Sequence, residues 1–280
     1  MTVAELLALA RRQLTDAGIE TAHLDARLLA AAVLGLSREE MLMKAHEAVA
    51  ETDVDSCQLL LERRLAGEPV SRILGYREFW GLDFMVTPAT LDPRADSELL
   101  VELVTGQVGR GFSGRILDLG TGTGCLPVAL LNELPLAHAT AVDLHPEALE
   151  CARQNANAHG VLDRLELVAG SWLEPVTGNY DIVLSNPPYI ATAVIEGLMD
   201  EVRLHDPRLA LDGGADGLAA YRTIIDGLGA VMASRGLVFF EVGYDQAEAV
   251  MGLLREGGFT SIAAHKDLAG QRRCVSAVYS

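Results

Sequence analysis

No stretch of the sequence reaches the roughly 18 to 20 consecutive apolar residues that a bilayer crossing needs. Glu5 also stands where a secretory leader would carry a basic flank. Both absences lead us to expect a soluble, cytoplasmic protein. Aromatic residues are scarce at 5%, yet half the chain is apolar. That balance excludes a disordered or fibrous chain and suits an α/β protein whose sheet is well covered. The four cysteines (Cys57, Cys125, Cys151 and Cys274) lie far apart, with no Cys-x-x-Cys pair. Such spacing gives neither a zinc cluster nor a disulfide framework, so reduced thiols and no metal site are expected. Basic residues are also few: 22 against 39 acids, a formal charge of −17 spread along the chain. The short clusters Arg11/Arg12, Arg63/Arg64 and Arg272/Arg273 are each interrupted, and a duplex phosphate backbone would be repelled.

What is present is a chain of 280 residues, long enough to bury a substantial core unaided. Residues 2 to 66 read as short helices with small apolar faces, such as Val3, Leu6, Leu7 and Ala10, then Ala26, Leu29, Ala30 and Val33 before a stop at Gly35. Ser37 with Glu40 has the capping-box spacing of a further helix start. His23 and His46 read as surface or packing residues. Gly67, Pro69 and Gly75 break the pattern, and Tyr76 to Val86 reads as a short hairpin about Gly81. Thr87 to Glu98 is a polar loop against a cleft.

From Arg115 onward strands and helices alternate. Strands are expected at 115–119, 138–143, 165–169, 180–185 and 236–242, with a closing pair at 259–264 and 274–279. Helices are expected at 125–134, 146–159, 217–232 and 246–256. This order predicts a mainly parallel sheet with helices on both faces and an antiparallel end. Ligands of such folds lie along the crevice outside the strand C-termini.

The first of those strands ends in Asp118-Leu119-Gly120-Thr121-Gly122-Thr123-Gly124, and a helix follows at once. Alternate glycines allow a tight turn against which a ligand can lie. The dinucleotide pattern Gly-x-Gly-x-x-Gly fails from Gly120, because position 125 is Cys, and from Gly122, because position 127 is Pro. No Gly-Lys-Ser/Thr follows, so a P-loop is excluded. What remains is a nucleoside ligand without a pyrophosphate. Asp143 closes the second strand, where a carboxylate can accept both ribose hydroxyls; Asp118 could bind the amino group of a methionyl moiety. Either acid could instead simply cap a helix or face solvent. Ser171 and Trp172 end the third strand beside the expected adenine position, where Trp172 could stack or could cap the core.

The strand Tyr180 to Ser185 runs into Asn186-Pro187-Pro188-Tyr189. Two prolines remove backbone donors and stiffen the turn, leaving the Asn186 side-chain oxygen and the Pro187 carbonyl as acceptors for the two N–H groups of an NH2. An amide or exocyclic amine nitrogen is a poor nucleophile. Fixed acceptors would stabilise the charge that it gains on methylation, and Tyr189 would stack on the planar group.

On these motifs the chain resembles class I methyltransferases that act on planar NH2 groups, and within them the HemK/PrmC family of release-factor glutamine methyltransferases. The resemblance extends to Gly67-Glu68-Pro69-Val70, Arg77-Glu78-Phe79-Trp80, Thr87 to Leu91 with Pro93-Arg94, and Ala210 through Arg222. It continues through Glu241 to Gln246 and Asp267 to Gly270. It implies a Rossmann-like α/β fold with an N-terminal helical substrate-recognition domain (1–75), a β-hairpin linker (76–90) and an S-adenosylmethionine-dependent catalytic domain (91–280). The implied reaction moves the methyl group of S-adenosylmethionine to N5 of the glutamine in the Gly-Gly-Gln tripeptide of bacterial peptide-chain release factors, a protein methylation serving translation termination, and leaves S-adenosylhomocysteine. Asn186 and Pro187 would be catalytic and, with Pro188 and Tyr189, bind substrate. Asp118, Gly120, Thr121, Gly122, Gly124, Asp143, Ser171, Trp172 and Asn186 would hold the cofactor, and the Pro93-Arg94 loop would cover the cleft. The chain departs from the family pattern at Asp92, Ala95, Ser97, Ser171 and Asp206. Three alternatives remain: a glutamine methyltransferase of a ribosomal protein, an adenine N6-methyltransferase, and a binding module on an inactive scaffold. Against the adenine enzyme, residues 91–280 carry 13 Lys/Arg and 25 Asp/Glu, a poor track for nucleic acid.

Overall fold

The computed structural model describes all of residues 1–280, which form two compact units: Met1–Tyr76 with Asp200–His205, and Arg77–Met199 with Asp206–Ser280. In the first, the helices Val3–Asp16, Ala22–Leu34, Arg38–Met43, Glu51–Leu65 and Val70–Leu74 enclose a core built on Leu6, Ala10, Leu14, Ala26, Leu29, Cys57 and Leu61. The small side chains on facing turns let the helices approach closely. Ser37 and Glu40 make both bonds of the capping box, and Thr2 with Glu5 makes a second one that starts the first helix. Gly35 ends the second helix in the left-handed region, at φ 61°.

One charged pair lies inside this unit. Arg64 meets Asp25 at 2.7 Å, with side chains only 4% and 7% exposed, and also bonds Glu201 of the short helix Asp200–His205 at 2.6 Å.

The second unit opens within β1 (Tyr76–Phe79), whose first residue closes the first unit, and β1 pairs with β2 (Leu82–Met85) in a two-stranded sheet. Trp80 and Gly81 both take positive φ at its turn, as a two-residue type I′ connection requires. Phe79 and Phe84 pack edge to face in the core of this unit, and the Trp80 indole N–H donates to Glu133. The main sheet comprises β3 (Arg115–Leu119), β4 (His138–Asp143), β5 (Leu165–Ala169), β6 (Tyr180–Ser185), β7 (Met232–Glu241), β8 (Thr260–Lys266) and β9 (Arg272–Val278), in the order β5-β4-β3-β6-β7-β9-β8. The first five strands are parallel, and β9 pairs antiparallel with both β7 and β8. Strand alternation divides the core. Ile116, Ile182 and Leu184 face the helices Glu98–Val108 and Cys125–Glu133, while Leu117, Leu119 and Val183 face Tyr221, Ile224 and Leu228 of Ala219–Leu228. No helix is long and apolar enough to cross a membrane.

Two expectations need correction. The helix expected over 217–232 covers only Ala219–Leu228, and β7 begins at Met232 rather than 236. Arg235 turns left-handed (φ 61°), and the pairing shifts register between Tyr180 and Ile182, so β7 starts early around an irregularity. Between β6 and the helix Ala219–Leu228, where no element was expected, lie the short helices Thr192–Gly197, Asp200–His205 and Arg208–Leu211. They are too brief for a helical period to register in sequence.

Removing one member of a buried ion pair strands the other, whereas replacing both by apolar residues does not. Because Arg64 keeps Glu201 as a second acid, Asp25→Ala should lower the unfolding free energy of the full chain by about 1.5 to 3 kcal/mol, the range for a lost hydrogen bond to a charged group. The double change Asp25→Leu with Arg64→Met should cost much less, as urea denaturation of the variants would show.

Candidate active site

The chain leaves β3 toward β4 on one side and later returns through β6 on the other, so a crevice opens at the C-terminal ends of β3, β4 and β6. A cavity of about 350 Å³ occupies that position. Gly120, Thr121, Gly122, Asp143, Ser171, Trp172, Asn186 and Pro188 line it. Asp118, Gly124, Pro187 and Tyr189, also singled out in the sequence, are not among the residues that line it.

The turn after β3 is set by its partners. The amides of Gly120 and Thr121 both donate to the Val142 carbonyl, and Gly124 starts the helix Cys125–Glu133. A Cβ on Gly124 would stand 2.9 Å from Cβ of Ala152, so glycine is needed both for its φ of 76° and for close helix packing. Behind it, the buried Asn155 amide donates to the carbonyls of Thr123 and Met85 and accepts from the Met85 amide. The turn, the helix Pro146–Ala158 and the β1-β2 hairpin are thus tied at one residue.

Asp143 accepts one bond at each oxygen, from the amides of Gly122 and His145, both at 2.9 Å. A carboxylate has about four acceptor sites, so two stay available for a pair of hydroxyls. Asp118 is wholly buried, and neither of its oxygens has a hydrogen-bond partner. Burial pushes its carboxyl up to about 7; the Thr121 hydroxyl, near but not hydrogen-bonded, opposes the rise and the Asp143 charge adds to it. An orphaned buried acceptor beside a vicinal-hydroxyl acceptor fits the ammonium and ribose of an aminoacyl nucleoside. Trp172 adopts φ 48°, and its ring lies 3.4 Å from where a Cβ on Gly120 would stand.

At the other end, Asn186 follows β6. Its side-chain NH2 donates to Ser97 Oγ at 3.1 Å, and the Ser97 hydroxyl donates to Glu241 Oε2 at 2.5 Å. Tyr189, expected as a stacking wall, sets its hydroxyl 3.5 Å from Glu241 Oε1, because a largely buried phenol needs a polar partner. Burial also raises the Tyr189 pKa, with the Glu241 charge adding to the effect. The segment after the double proline is braced from outside: Gln246 donates to the Tyr189 carbonyl, and Gly213 donates to that of Ile190. Over the cleft, Arg94 donates to Asp206 at 2.5 Å, so the shorter acid still holds the loop.

Ser97 and Glu241 carry roles that motif reading did not give them. The signal for Glu241 was available: an acid ending the apolar run Leu237-Val238-Phe239-Phe240, the same position by which Asp118 and Asp143 were found.

Two family models match the chain, one described as "PrmC N-terminal domain" over residues 5–75 and one as "Methyltransferase small domain" over 89–205. A release factor glutamine methyltransferase of Agrobacterium fabrum is 43% identical over 277 residues, covering 98% of this chain and 96% of that one. Its counterpart in Rhodospirillum rubrum is 44% identical over 265 residues, 95% and 81% of the two chains. Among solved structures, a methyltransferase from Pyrococcus furiosus superposes with a TM-score of 0.53 at 17% identity, over 78% of this chain and 96% of that one, a likeness of fold.

Because Asp118 holds more protons folded than unfolded between its ordinary value near 4 and about 7, the apo protein should lose stability as pH rises through that window. Asp118→Asn should flatten that slope in thermal melts from pH 5 to 8. The same change should weaken S-adenosylmethionine binding at pH 8 by at least about tenfold in calorimetric titration.

Proposed function

The chain belongs to the release factor glutamine methyltransferase family, and we propose that Asn186 and Pro187 hold the reacting amide. The protein transfers the methyl group of S-adenosylmethionine to the side-chain amide nitrogen of a glutamine in bacterial release factors, which on our reading is that of a Gly-Gly-Gln tripeptide. The observation that carries the residue roles is the Asn186 side chain: it lines the cavity, and its NH2 end is tied to Ser97, which leaves Oδ1 for the substrate.

An amide nitrogen shares its lone pair with the carbonyl, so the enzyme must favour the state in which that pair is withdrawn. Asn186 Oδ1 and the Pro187 carbonyl each accept one substrate N–H. Both bonds strengthen as the nitrogen gains positive charge, so they stabilise the transition state more than the ground state. Holding the nitrogen in line leaves little other work, and the surplus proton departs to water without a strong base. Pro188 flanks the planar group at the cavity wall, and Tyr189 steadies the turn through Glu241.

S-adenosylmethionine, when bound, supplies the activated methyl group. Asp118, buried just behind the cavity lining, would offset the charge of its ammonium, and Asp143 would accept its ribose hydroxyls; the backbone of Gly120, Thr121, Gly122 and Gly124 shapes the turn, and Ser171 and Trp172 would bound the adenine side. The first unit grips the release factor, and the hairpin joins it to the catalytic domain. Acting on a release factor calls for a cytoplasmic enzyme, and four unbridged cysteines suit that reducing compartment.

Asn186→Ala should keep S-adenosylmethionine affinity within about twofold while the single-turnover rate on purified release factor falls by about 100- to 1,000-fold. Isothermal titration and rapid-quench methyl transfer would check the two halves. An unchanged rate would remove Asn186 from the chemistry.

A further inference from the structure

We propose that Ser97 and Glu241 form a polarity relay that decides which end of the Asn186 side chain faces the substrate. The inference rests on the reading of Asn186 as an amide acceptor, and deepens it. An asparagine amide is nearly symmetric in shape but opposite in function at its two ends, one accepting hydrogen bonds and the other donating them. If it were reversed, its NH2 would face the substrate NH2, and two donors would meet. Something must therefore fix the orientation, and the turn backbone alone does not.

Strand register brings the fixing group into place. Ser185 pairs with Phe240, so the residues that follow, Asn186 and Glu241, emerge side by side. Ser97, on the short helix Ala95–Ser97, sits between them, bonded to both. A serine hydroxyl has one proton. Given to the Glu241 carboxylate at 2.5 Å, it leaves Ser97 Oγ able only to accept, so the Asn186 atom 3.1 Å away must be the donor. Oδ1 is thereby turned toward the cleft. The relay needs Glu241 ionised. Once protonated, Glu241 can donate to Ser97, whose own proton is then free to attract Asn186 Oδ1 and reverse the amide.

Glu241 is 1% exposed, and burial pushes its carboxyl up to about 7, opposed by Ser97, Arg273 and Tyr189 and reinforced by Asp96. Around it also stand Cys274, which pairs with it across β9, the Cys125 thiol, and Tyr221, whose hydroxyl donates to the Glu241 backbone carbonyl. Arg273 is itself engaged by Asp96 at 3.1 Å and Asp267 at 3.5 Å, so it does not neutralise Glu241 outright. Ser97 and Glu241 are positioning residues, since neither is assigned a contact with substrate.

The test is the single-turnover rate on release factor at saturating S-adenosylmethionine from pH 5.5 to about 9, for the wild type and for Glu241→Gln, Ser97→Ala, Ser97→Thr and Asn186→Ala. Saturating cofactor keeps Asp118 ionised, so that its titration does not enter. The wild-type rate should rise with pH through a limb near 7. Glu241→Gln and Ser97→Ala should each lose about 100-fold at pH 8 and show no such limb, with cofactor affinity within about twofold of wild type. Ser97→Thr keeps the hydroxyl and should recover most of the rate together with the limb. A merely structural role would lower the melting temperature without removing the limb. Should Glu241→Gln fail to fold, the Ala and Thr variants at position 97 decide: equal rates overturn the relay. An acid limb that survives in Glu241→Gln also overturns it. If Asn186→Ala loses turnover while Ser97→Ala does not, the relay is wrong and Asn186 stands. If Asn186→Ala keeps its rate, both are wrong.

Discussion

Burying a carboxylate without a cation to neutralise it costs free energy, and this sheet does so twice along one edge. Asp118 near the end of β3 and Glu241 at the end of β7 flank β6 on either side, and both are pushed up to about 7. Between them the chain leaves the sheet as Asn186. The two acids work differently. Asp118 has no hydrogen-bond partner in the protein, whereas Glu241 spends its acceptors inward on Ser97 and Tyr189. On the proposed roles, unsatisfied acid stands beside the cationic cofactor, and satisfied acid stands where a side chain is to be oriented.

A strained edge of this kind holds only if the surrounding structure leaves it no way to relax. Asn155 ties the glycine turn to the hairpin, Tyr221 fixes the Glu241 backbone, and Gln246 with Gly213 clamps the carbonyls after the double proline. Each brace comes from a different helix or loop, and each is buried or partly buried. The apolar layers on both sheet faces provide the stability from which that cost is drawn. Removing an acid should relieve the apo protein while harming its function, the ordinary trade between stability and a preorganised site.

Much of this was readable from the residues. The strand-end acids Asp118 and Asp143, the glycine turn and Asn186 were found because strand, turn and helix follow one another with a polar residue at each junction. The parallel order and antiparallel close followed from alternation of element types. What escaped notice depended on distance along the chain. Ser97 reaches Glu241 across 144 positions and Asn186 across 89, and no local period reports such a meeting. The bond from the Tyr189 hydroxyl to Glu241 lies across 52 positions and was hidden for the same reason. The early start of β7 reflects a left-handed Arg235, a conformation that no propensity favours.

If Asn186 and Pro187 hold the substrate as proposed, the same arrangement explains why an amide and not a carboxylate should be accepted. Glutamine and glutamate differ little in shape, so exclusion by size is weak, but they differ completely in what they offer to Asn186 Oδ1 and the Pro187 carbonyl. The amide presents two donors to two acceptors. A glutamate carboxylate would present only acceptors, and would do so beside an edge already carrying the buried acids Asp118 and Glu241 and the half-buried Asp143. A site built from buried polar groups rejects an analogue that leaves them unpaired far more strongly than an apolar pocket rejects a change of size. Selectivity for NH2 and activation of that NH2 therefore come from one requirement, that the oxygen end of Asn186 face the cleft.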